Sequence, residues 1–464
     1  AFVGVDFGAT RVEASGRVNL ERAGTLVSWQ GRFTADPLSL ATASGCTPVL
    51  GLTSEFRIRA DMEERTALIE KADVSLRQGT VPVVQGSLDR PMNIGWDTAA
   101  KGFRDATYVL AVKQLDLAAW RTLTGPGFPA GMASLEARVT SDRDGRLLRC
   151  LVTGGVTDLT VPGGAGPSDG LRLEFEAAGS LEDFKKALLE RVSGQLQQGA
   201  QRLAQLSGLA QVNLRNREFS GQFSADATLP GLLKMHPVDG LRLSAGTATA
   251  AVQVDTQNGQ TNISAGFACS GLTGDLFGVA IRDYAAKVDL GARLGPDKVL
   301  LQRGMVSLQA GSDAPGSIEL SGEFEPVAKR GDFRFKGVNL NEKSLAPLVA
   351  RTLHPRRLES VAIEFSGDTH LDLSAKSTVS STLQVNRLVV REPSSSGAAA
   401  PISLGATLEG SGTGRSLDLT RLAVRMQPTP RAAQNELLGT GHLELATNNA
   451  ASGTLSFTSP GLDL

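Results

Sequence analysis

Polar and apolar residues alternate along much of this chain, and Ser-Gly interrupts the alternation at related places. The pattern is clearest at residues 318–324 (Ile-Glu-Leu-Ser-Gly-Glu-Phe), and it recurs at 363–367, 218–223 and 12–18. A period of two residues predicts β-strands with one apolar and one polar face. A glycine inside a strand is typical of a bulge or a bend. The pattern therefore predicts a long, curved sheet in which one strand unit is used many times.

A second repeat joins strands to short helices. Residues 110–117 match residues 333–340 position by position, with the pattern apolar-x-apolar-Lys-x-apolar-Asp/Asn-Leu, and helical spacing follows each copy. A looser copy closes the chain at 455–457 and 462–464, where a further helix would begin. Self-similarity with open ends is typical of solenoid-like arrays. We therefore expect this chain to be part of a longer repetitive protein.

The fold class predicted from these repeats is mainly β, an elongated and curved antiparallel sheet that forms an open apolar groove, with a few short helices. We expect an N-terminal groove segment at 1–180 and a C-terminal groove segment at 211–464. Between them, Ser180 and Asp183 resemble a capping box, and apolar residues follow with a spacing of four. This predicts one longer amphipathic helix at 181–210 that packs on the sheet, or serves as a lid or cap, through Phe184, Leu188, Val192 and Leu196.

Composition argues against several classes of function. The 47 Lys and Arg residues nearly cancel the 48 Asp and Glu residues, so no basic field is expected for nucleic acid. The three cysteines, Cys46, Cys150 and Cys269, are far apart and form no metal-binding motif. The chain has no apolar run of about 18 residues and no signal peptide. Its first residue is Ala, so we expect that a targeting or anchoring segment was removed.

The sequence predicts no catalytic centre. Residues 3–11 are similar to the first phosphate-binding hairpin of sugar kinases and actin-like ATPases, but the alternating helices and the second phosphate loop of that fold do not follow. The one Gly-x-Ser-x-Gly match, at 166–170, lies in a loop rich in Gly and Pro and not at the strand-to-helix turn that a nucleophile elbow needs, and the four histidines are scattered. We therefore expect a protein that is not an enzyme and that holds no cofactor and no metal.

The strand unit, the step into a short helix and the segment from 416–422 to 438–445 together resemble the AsmA-like family, which includes the TamB-type proteins of the bacterial envelope. The resemblance is best from residue 212 to residue 464. It implies a periplasmic rod that is anchored in the inner membrane and whose sheet folds into a taco-shaped groove. It also implies transport of phospholipid toward the outer membrane, with membrane partners at the two ends, although the anchor is missing from this sequence.

Elementary energetics point in the same direction. A one-sided sheet with few helices leaves apolar surface uncovered, and each methylene of an acyl chain that is buried there contributes about 0.8 kcal/mol. Neighbouring strands would offer equivalent sites about 4.8 Å apart, so a lipid could move stepwise. Residues that share a strand face by parity are the predicted groove lining: Phe219, Phe223, Ile318, Leu320, Phe333, Phe335, Ile363, Phe365, Leu371 and Leu373.

Two other functions stay open at this point. The sheet edges could template the assembly of outer-membrane β-proteins by strand addition. Alternatively, the chain could be a passive surface β-solenoid with a closed core, although the long segments and the predicted helix argue against it.

Overall fold

The computed structural model describes residues 10–39, 41–42, 45–46, 48–95, 105–125, 127–143, 145–162, 170–392, 400–413, 415–445 and 451–463. About three quarters of these residues lie in antiparallel β-strands, which confirms the predicted fold class. Tertiary contacts divide the chain into two compact units. Unit 1 contains residues 1–227 and 234–237, and unit 2 contains residues 228–233 and 238–464. The helix α2 (Leu229–Met235) falls at this division. Residues 3–9 of the kinase-like hairpin lie outside the described residues.

Unit 1 is a meander in which strands that are consecutive along the chain pair with one another. A 3-10 helix (Arg22–Gly24) follows the first strand, and a second one (Leu117–Trp120) leads into the single turn α1 (Arg121–Thr124). The strands are β1 (Val12–Glu21), β2 (Leu26–Leu38), β3 (Ala41–Thr42), β4 (Gly45–Cys46), β5 (Leu50–Asp61), β6 (Thr66–Gln78), β7 (Val81–Leu88), β8 (Met92–Gly95), β9 (Ala106–Asp116), β10 (Ala130–Asp142), β11 (Leu147–Thr160), β12 (Leu171–Glu182), β13 (Lys186–Gln198), β14 (Gln201–Asn213) and β15 (Glu218–Thr228).

The meander departs from strict sequence order at two places. The short strands β3 and β4 pair only with each other, so β2 pairs directly with β5. The strand β6 has two partners on one side, because β7 pairs with its C-terminal end and β8 pairs with its N-terminal end. The strand β9 then pairs with β7 on one side and with β10 on the other.

Unit 2 is a simpler meander, with each strand paired to the next. One helix, α3 (Glu342–Leu353), interrupts it. The strands are β16 (Leu241–Gln257), β17 (Gln260–Leu276), β18 (Val279–Leu294), β19 (Val299–Ala310), β20 (Gly316–Glu325), β21 (Arg330–Asn341), β22 (Arg357–Asp372), β23 (Ser377–Arg391), β24 (Ile402–Gly412), β25 (Ser416–Met426), β26 (Glu436–Leu445) and β27 (Ala451–Gly461).

The amphipathic helix predicted at 181–210 is wrong, because this segment forms the hairpin β13–β14. Ser180 lies inside β12, and Asp183 lies in the turn after it, with a positive φ of 49°. Gly199 supplies a second left-handed turn, with φ 58°, between β13 and β14. Apolar residues spaced by four satisfy a period of two as well as a helical period, so the spacing did not distinguish the two structures.

The predicted step from strand to helix is present in both copies, and the helix after 341 ends before His354-Pro355 as expected. The residues that cap the two helices are Asp116, whose carboxylate accepts from the N–H of Ala118 at 2.9 Å, and Asn341, whose amide oxygen accepts from the N–H of Ser344 at 2.9 Å. Each cap follows a β-bulge with a left-handed residue, Gln114 or Asn339. The structural match is thus displaced by two residues from the match in sequence.

Three β-bulges have the same hydrogen bond to a hydroxyl of the neighbouring strand, and the sequence pattern did not predict it. At Gln114, Asp283 and Arg387, φ is between 49° and 54°, and the backbone N–H donates to a hydroxyl of the neighbouring strand. The acceptors are Ser134, Thr273 and Ser403, at 3.5, 3.2 and 3.2 Å respectively. A bulge leaves one residue unpaired in the ladder, so the hydroxyl satisfies a donor that would otherwise lose its partner.

Candidate lipid-binding face

Strand register shows which side chains share a face of each sheet. In an antiparallel pair, two residues directly opposite each other project to the same side, and successive residues of one strand project to opposite sides. Following the opposite partners from strand to strand therefore traces a row of side chains across a sheet. Each row is named here by its first residue.

One face of unit 1 carries apolar rows that cross the whole sheet. The Val12 row crosses twelve strands without a polar side chain: Val12, Ala35, Leu52, Leu76, Val84, Val112, Leu135, Gly154, Phe175, Gly194, Leu206 and Ala225. The Ala14 row lies beside it and has one serine: Ala14, Phe33, Ser54, Val74, Gly86, Leu110, Ala137, Val152, Ala177, Val192, Gly208 and Phe223.

The opposite face of unit 1 is polar along the same strands. The row between the two apolar rows contains a single apolar residue, Ala111: Glu13, Thr34, Thr53, Ser75, Gln85, Ala111, Glu136, Thr153, Glu176, Ser193, Ser207 and Ser224. Unit 1 is thus one-sided from its first strand to its last described one.

Unit 2 has the same construction. Three neighbouring apolar rows cross eleven or twelve strands. The Ala250 row is Ala250, Phe267, Val288, Val306, Ile318, Gly337, Phe365, Leu383, Ala406, Val424 and Leu437. The Val252 row is Val252, Ala265, Leu290, Gly304, Leu320, Phe335, Gly367, Ser381, Leu408, Leu422, Gly439 and Phe457. The Val254 row is Val254, Ile263, Ala292, Leu301, Gly322, Phe333, Thr369, Val379, Gly410, Leu419, Gly441 and Leu455.

Charged and hydroxyl side chains occupy the other face of unit 2. One continuous stretch of a polar row is Ser321, Arg334, Asp368, Ser380, Glu409 and Arg421. Ion pairs link neighbouring strands within it, with Arg334 3.1 Å from Asp368 and Arg421 3.7 Å from Glu409. Such exposed pairs contribute little stability, but they keep this face hydrated.

The predicted groove residues of unit 2 lie on one face, with one exception. Five of them belong to the apolar rows, namely Ile318, Leu320, Phe333, Phe335 and Phe365. Ile363 lies opposite Leu340 and Val385, and Leu371 lies opposite Gly331, all on this same face. Leu373 is the exception, because it lies in the turn after β22 and is exposed.

The predicted groove residues of unit 1 also share a face. Phe223 belongs to the Ala14 row, and Phe219 lies opposite Val212 on the same side. Of the residues assigned to the supposed helix, Val192 and Leu196 line this apolar face as well. Leu188 projects from the opposite face, because a bulge between Leu189 and Val192 reverses the alternation. Phe184 is exposed in the turn before β13.

Aromatic rings and glycines are matched across the apolar faces. In eight places a phenylalanine lies directly opposite a glycine of the next strand, and a Cβ built on that glycine would meet the ring at 2.3–3.0 Å. The rings therefore lie over the glycine backbone, which explains why glycine recurs inside these strands. The pairs are Phe56–Gly31, Phe175–Gly154, Phe223–Gly208, Phe324–Gly331, Phe333–Gly322, Phe335–Gly367, Phe365–Gly337 and Phe457–Gly439.

Much of the apolar face of unit 2 is open to solvent. Leu320 in the Val252 row is 41% exposed, and Phe267 in the Ala250 row is 47% exposed. Contiguous exposed apolar surface is uncommon on soluble monomers and usually binds a ligand, a protein or a membrane.

One end of this face is covered by α3. A buried cluster of Ile281, Tyr284, Leu308 and Leu340 forms there, and Leu345 of α3 packs against it. The phenol of Tyr284 donates to the carbonyl of Ser344 at 2.7 Å, and burial raises the pKa of Tyr284 to about 12. The phenol is therefore a neutral hydrogen-bond donor at any physiological pH.

Titratable groups elsewhere form surface pairs. His442 lies 2.6 Å from Asp418, and Lys376 lies 2.8 Å from the other oxygen of that carboxylate. The hydrogen bond to Asp418 raises the pKa of His442, and the hydrogen bonds from Lys376 and His442 lower the pKa of Asp418. This cluster links β25 and β26. Within the described ranges, no group of His, Cys, Asp and Glu side chains could hold a metal ion.

Surface depressions occur on the polar faces. In unit 1 one of them is bordered by Glu136, Glu174, Glu176 and Gln195. In unit 2 two adjoining depressions are bordered by Arg334, Asp368 and neighbouring polar side chains. These depressions lie between long polar side chains, so the apolar face is better described as an open track than as a pocket.

No helix in the part of the chain that the structure describes is long and apolar enough to cross a membrane. Comparison with known proteins finds no matching family model, no similar curated protein and no similar solved structure.

Proposed function

We propose that this chain binds the acyl chains of phospholipids on its apolar sheet faces and passes them along those faces from strand to strand. The observation that supports this most strongly is the set of apolar rows, which run across the strands of each unit and contain no charged side chain and at most one hydroxyl residue each. A discrete binding protein would need one apolar pocket, whereas a conducting surface needs an equivalent site on every strand.

The rows suit stepwise movement. Twelve strands are separated by eleven steps of about 4.8 Å, so each row extends for roughly 50 Å within its unit. Nearly all positions in the rows are apolar, and each glycine is covered by a phenylalanine ring of the next strand or lies beside another apolar side chain, so an acyl chain that leaves one strand meets apolar surface on the next. Such a track needs no catalytic residue. In keeping with the sequence resemblance, we place this activity in the bacterial periplasm, between the inner and outer membranes.

A matched pair of substitutions in β20 tests lipid binding. Leu320 projects from the apolar face, and the next residue, Ser321, projects from the polar face opposite Arg334. We expect Leu320→Asp to reduce the phospholipid that co-purifies with the protein, measured by solvent extraction and mass spectrometry, because a carboxylate interrupts the Val252 row. Ser321→Asp adds the same charge one residue further along β20, about 3.3 Å away, but on the polar face. It therefore serves as the control.

The proposal fails if the unsubstituted protein carries no more lipid than a soluble β-protein treated in the same way. It also fails if both variants retain equal amounts of lipid. A transfer assay between donor and acceptor vesicles then separates conduction from storage, because storage would give bound lipid without transfer.

A further inference from the structure

The helix α3 stands at one end of the apolar face of unit 2 as a fixed wall. Its Leu345 packs against a cluster in which Leu308 and Leu340 are only 3% and 2% exposed. Those two leucines belong to the same apolar face as the rows described above. Leu308 lies two residues beyond the Ala250 row on β19, and Leu340 lies three residues beyond it on β21, across the bulge at Asn339. Where α3 contacts the sheet, at β18, β19, β21 and β22, the face is therefore closed at this end, and it is open further along these strands.

Polar contacts hold the first turn of α3 in place. Tyr284 of β18 bonds to the carbonyl of Ser344, and the ammonium of Lys343 lies 2.8 Å from Asp313 in the turn after β19. Asn341 and Ser344 form a reciprocal capping box at the start of the helix. Three separate attachments to the sheet and its turns are typical of a rigid element and not of a mobile lid.

The uncovered part of the face has a defined length along the strands. On β20 it runs from Ile318, next to the covered cluster, to Phe324, near the opposite rim. Six residues of extended strand span about 20 Å. One acyl tail of a bilayer is about 15 Å long, half of the hydrocarbon thickness. A single tail that lies parallel to the strands therefore fits between α3 and the opposite rim.

The opposite rim is polar and wet. Its hairpin turns carry exposed ion pairs between Lys298 and Glu323 at 2.7 Å, between Arg330 and Glu325 at 2.8 Å, and between Lys376 and Asp418 at 2.8 Å. A charged headgroup is hydrated at this rim and would be stripped of water at the α3 end. The rim is thus polar and the α3 end is apolar, as the headgroup of a lipid is polar and the ends of its tails are apolar.

We propose that diacyl lipids lie on β18 to β22 of unit 2 with their headgroups at this rim and with their tail ends pointing toward α3, so that α3 limits the length of tail that this part of the face accepts. This inference rests on the proposed lipid binding and adds an orientation and a chain-length preference to it. Leu345 is the residue that sets the position of the wall. It is a positioning residue for the tail and takes part in no chemistry.

The test is a competition among phosphatidylcholines whose two tails are lauroyl, palmitoyl or arachidoyl. The full chain is incubated with detergent-solubilised equal amounts of the three lipids, and the bound species are counted by native mass spectrometry. Leu345→Ala moves the wall back, and we expect the ratio of bound arachidoyl to bound palmitoyl lipid to rise about tenfold, since each further methylene buried contributes about fourfold. Leu345→Trp moves the wall forward and should favour the lauroyl lipid.

Leu348→Ala is the matched control, because Leu348 belongs to the same helix but is largely exposed. Circular dichroism shows whether each variant remains folded, and either Leu345 variant alone suffices for the test. Lipid binding with the same chain-length distribution in all folded variants would overturn the role of α3 while leaving the proposed function intact. Absence of bound lipid in the unsubstituted chain would overturn both.

Discussion

At the scale of single residues, the apolar faces depend on a complementarity between phenylalanine and glycine. The ring of Phe365 lies over Gly337, and the ring of Phe335 lies over Gly367, so these two strands exchange rings in both directions. Phe335 and Phe365 also contact each other, with ring centroids 6.2 Å apart. A glycine in a strand normally weakens it, and here the ring from the next strand covers the exposed backbone.

We predict that Gly337→Ala destabilises the protein by about 1–3 kcal/mol through overpacking. The new methyl would lie 2.4 Å from the Phe365 ring. Gly405→Ala is the matched control, because nothing lies within 4 Å of a Cβ at that position. Urea unfolding of both variants measures the difference. Equal stabilities of the two variants would contradict the prediction, whereas recovery of stability on adding Phe365→Leu to Gly337→Ala would support it.

At the scale of elements, turns and bulges decide where each strand ends and which face its residues join. In β13 the side chain of Leu188 projects from the polar face, and the bulge before Val192 shifts the alternation so that Val192 projects from the apolar face. The bulge at Asn339 directs Leu340 into the buried cluster and places Asn341 where it can cap α3. The helix α3 is thus attached to the sheet through its first turn, where Tyr284 supplies the buried hydrogen bond.

We predict an alkaline loss of stability that depends on Tyr284. Its pKa is raised from 10.0 to about 12 in the folded protein, so the unfolded chain releases this proton at a lower pH. The contribution of the neutral phenol is therefore fully present below pH 10.0 and is lost as the pH rises toward about 12. Unfolding free energies measured by urea across this range should fall with pH.

Tyr284→Phe is the comparison for that measurement. It should lower stability by about 1 kcal/mol at neutral pH, because it removes one buried hydrogen bond. It should also show a smaller alkaline decline than the parent. Both measurements belong in a Tyr108→Phe background, since burial raises the pKa of Tyr108, the other tyrosine, as well. An identical decline in both proteins would mean that Tyr284 does not cause it.

At the scale of the whole molecule, each unit is a meander in which most strands pair with their neighbours in the sequence, the exceptions being β3, β4 and β8 of unit 1. Contacts of this kind make stability approximately a sum of local terms, as in repeat proteins. The buried cluster beneath α3 draws all its members from unit 2, over the interval from Leu243 to Phe365. Unit 2 therefore contains both its own sheet and the core that closes one end of it.

We predict that residues 228–464, expressed alone, fold cooperatively and show the strand content of unit 2 by circular dichroism. A shorter piece, residues 316–464, keeps eight strands but loses Ile281, Tyr284 and Leu308 from the buried cluster, and it should unfold at a lower urea concentration. Failure of the longer piece to unfold cooperatively would show that unit 2 depends on unit 1.

The sequence by itself determined the class of fold and the one-sidedness of the strands. When apolar and polar residues alternate, an extended strand places all the apolar side chains on one face and all the polar side chains on the other. It also predicted that the two residues of a groove pair such as Phe333 and Phe335 share one side of their own strand, since residues two apart along a strand project to the same side. The short helix after residue 341 was also predicted from the sequence, because the apolar residues change there from strand spacing to helical spacing and His354-Pro355 follows.

Only the tertiary structure decided which residues oppose one another across strands. Apolar residues with a spacing of four fit both a helix and a strand, and the segment at 186–213 became a hairpin because strands on both sides offered hydrogen-bonding partners. The eight phenylalanine–glycine pairs, and the three bulges whose N–H donates to a hydroxyl, depend on register between strands. Register is set by pairing between segments, so no local pattern of residues could show it.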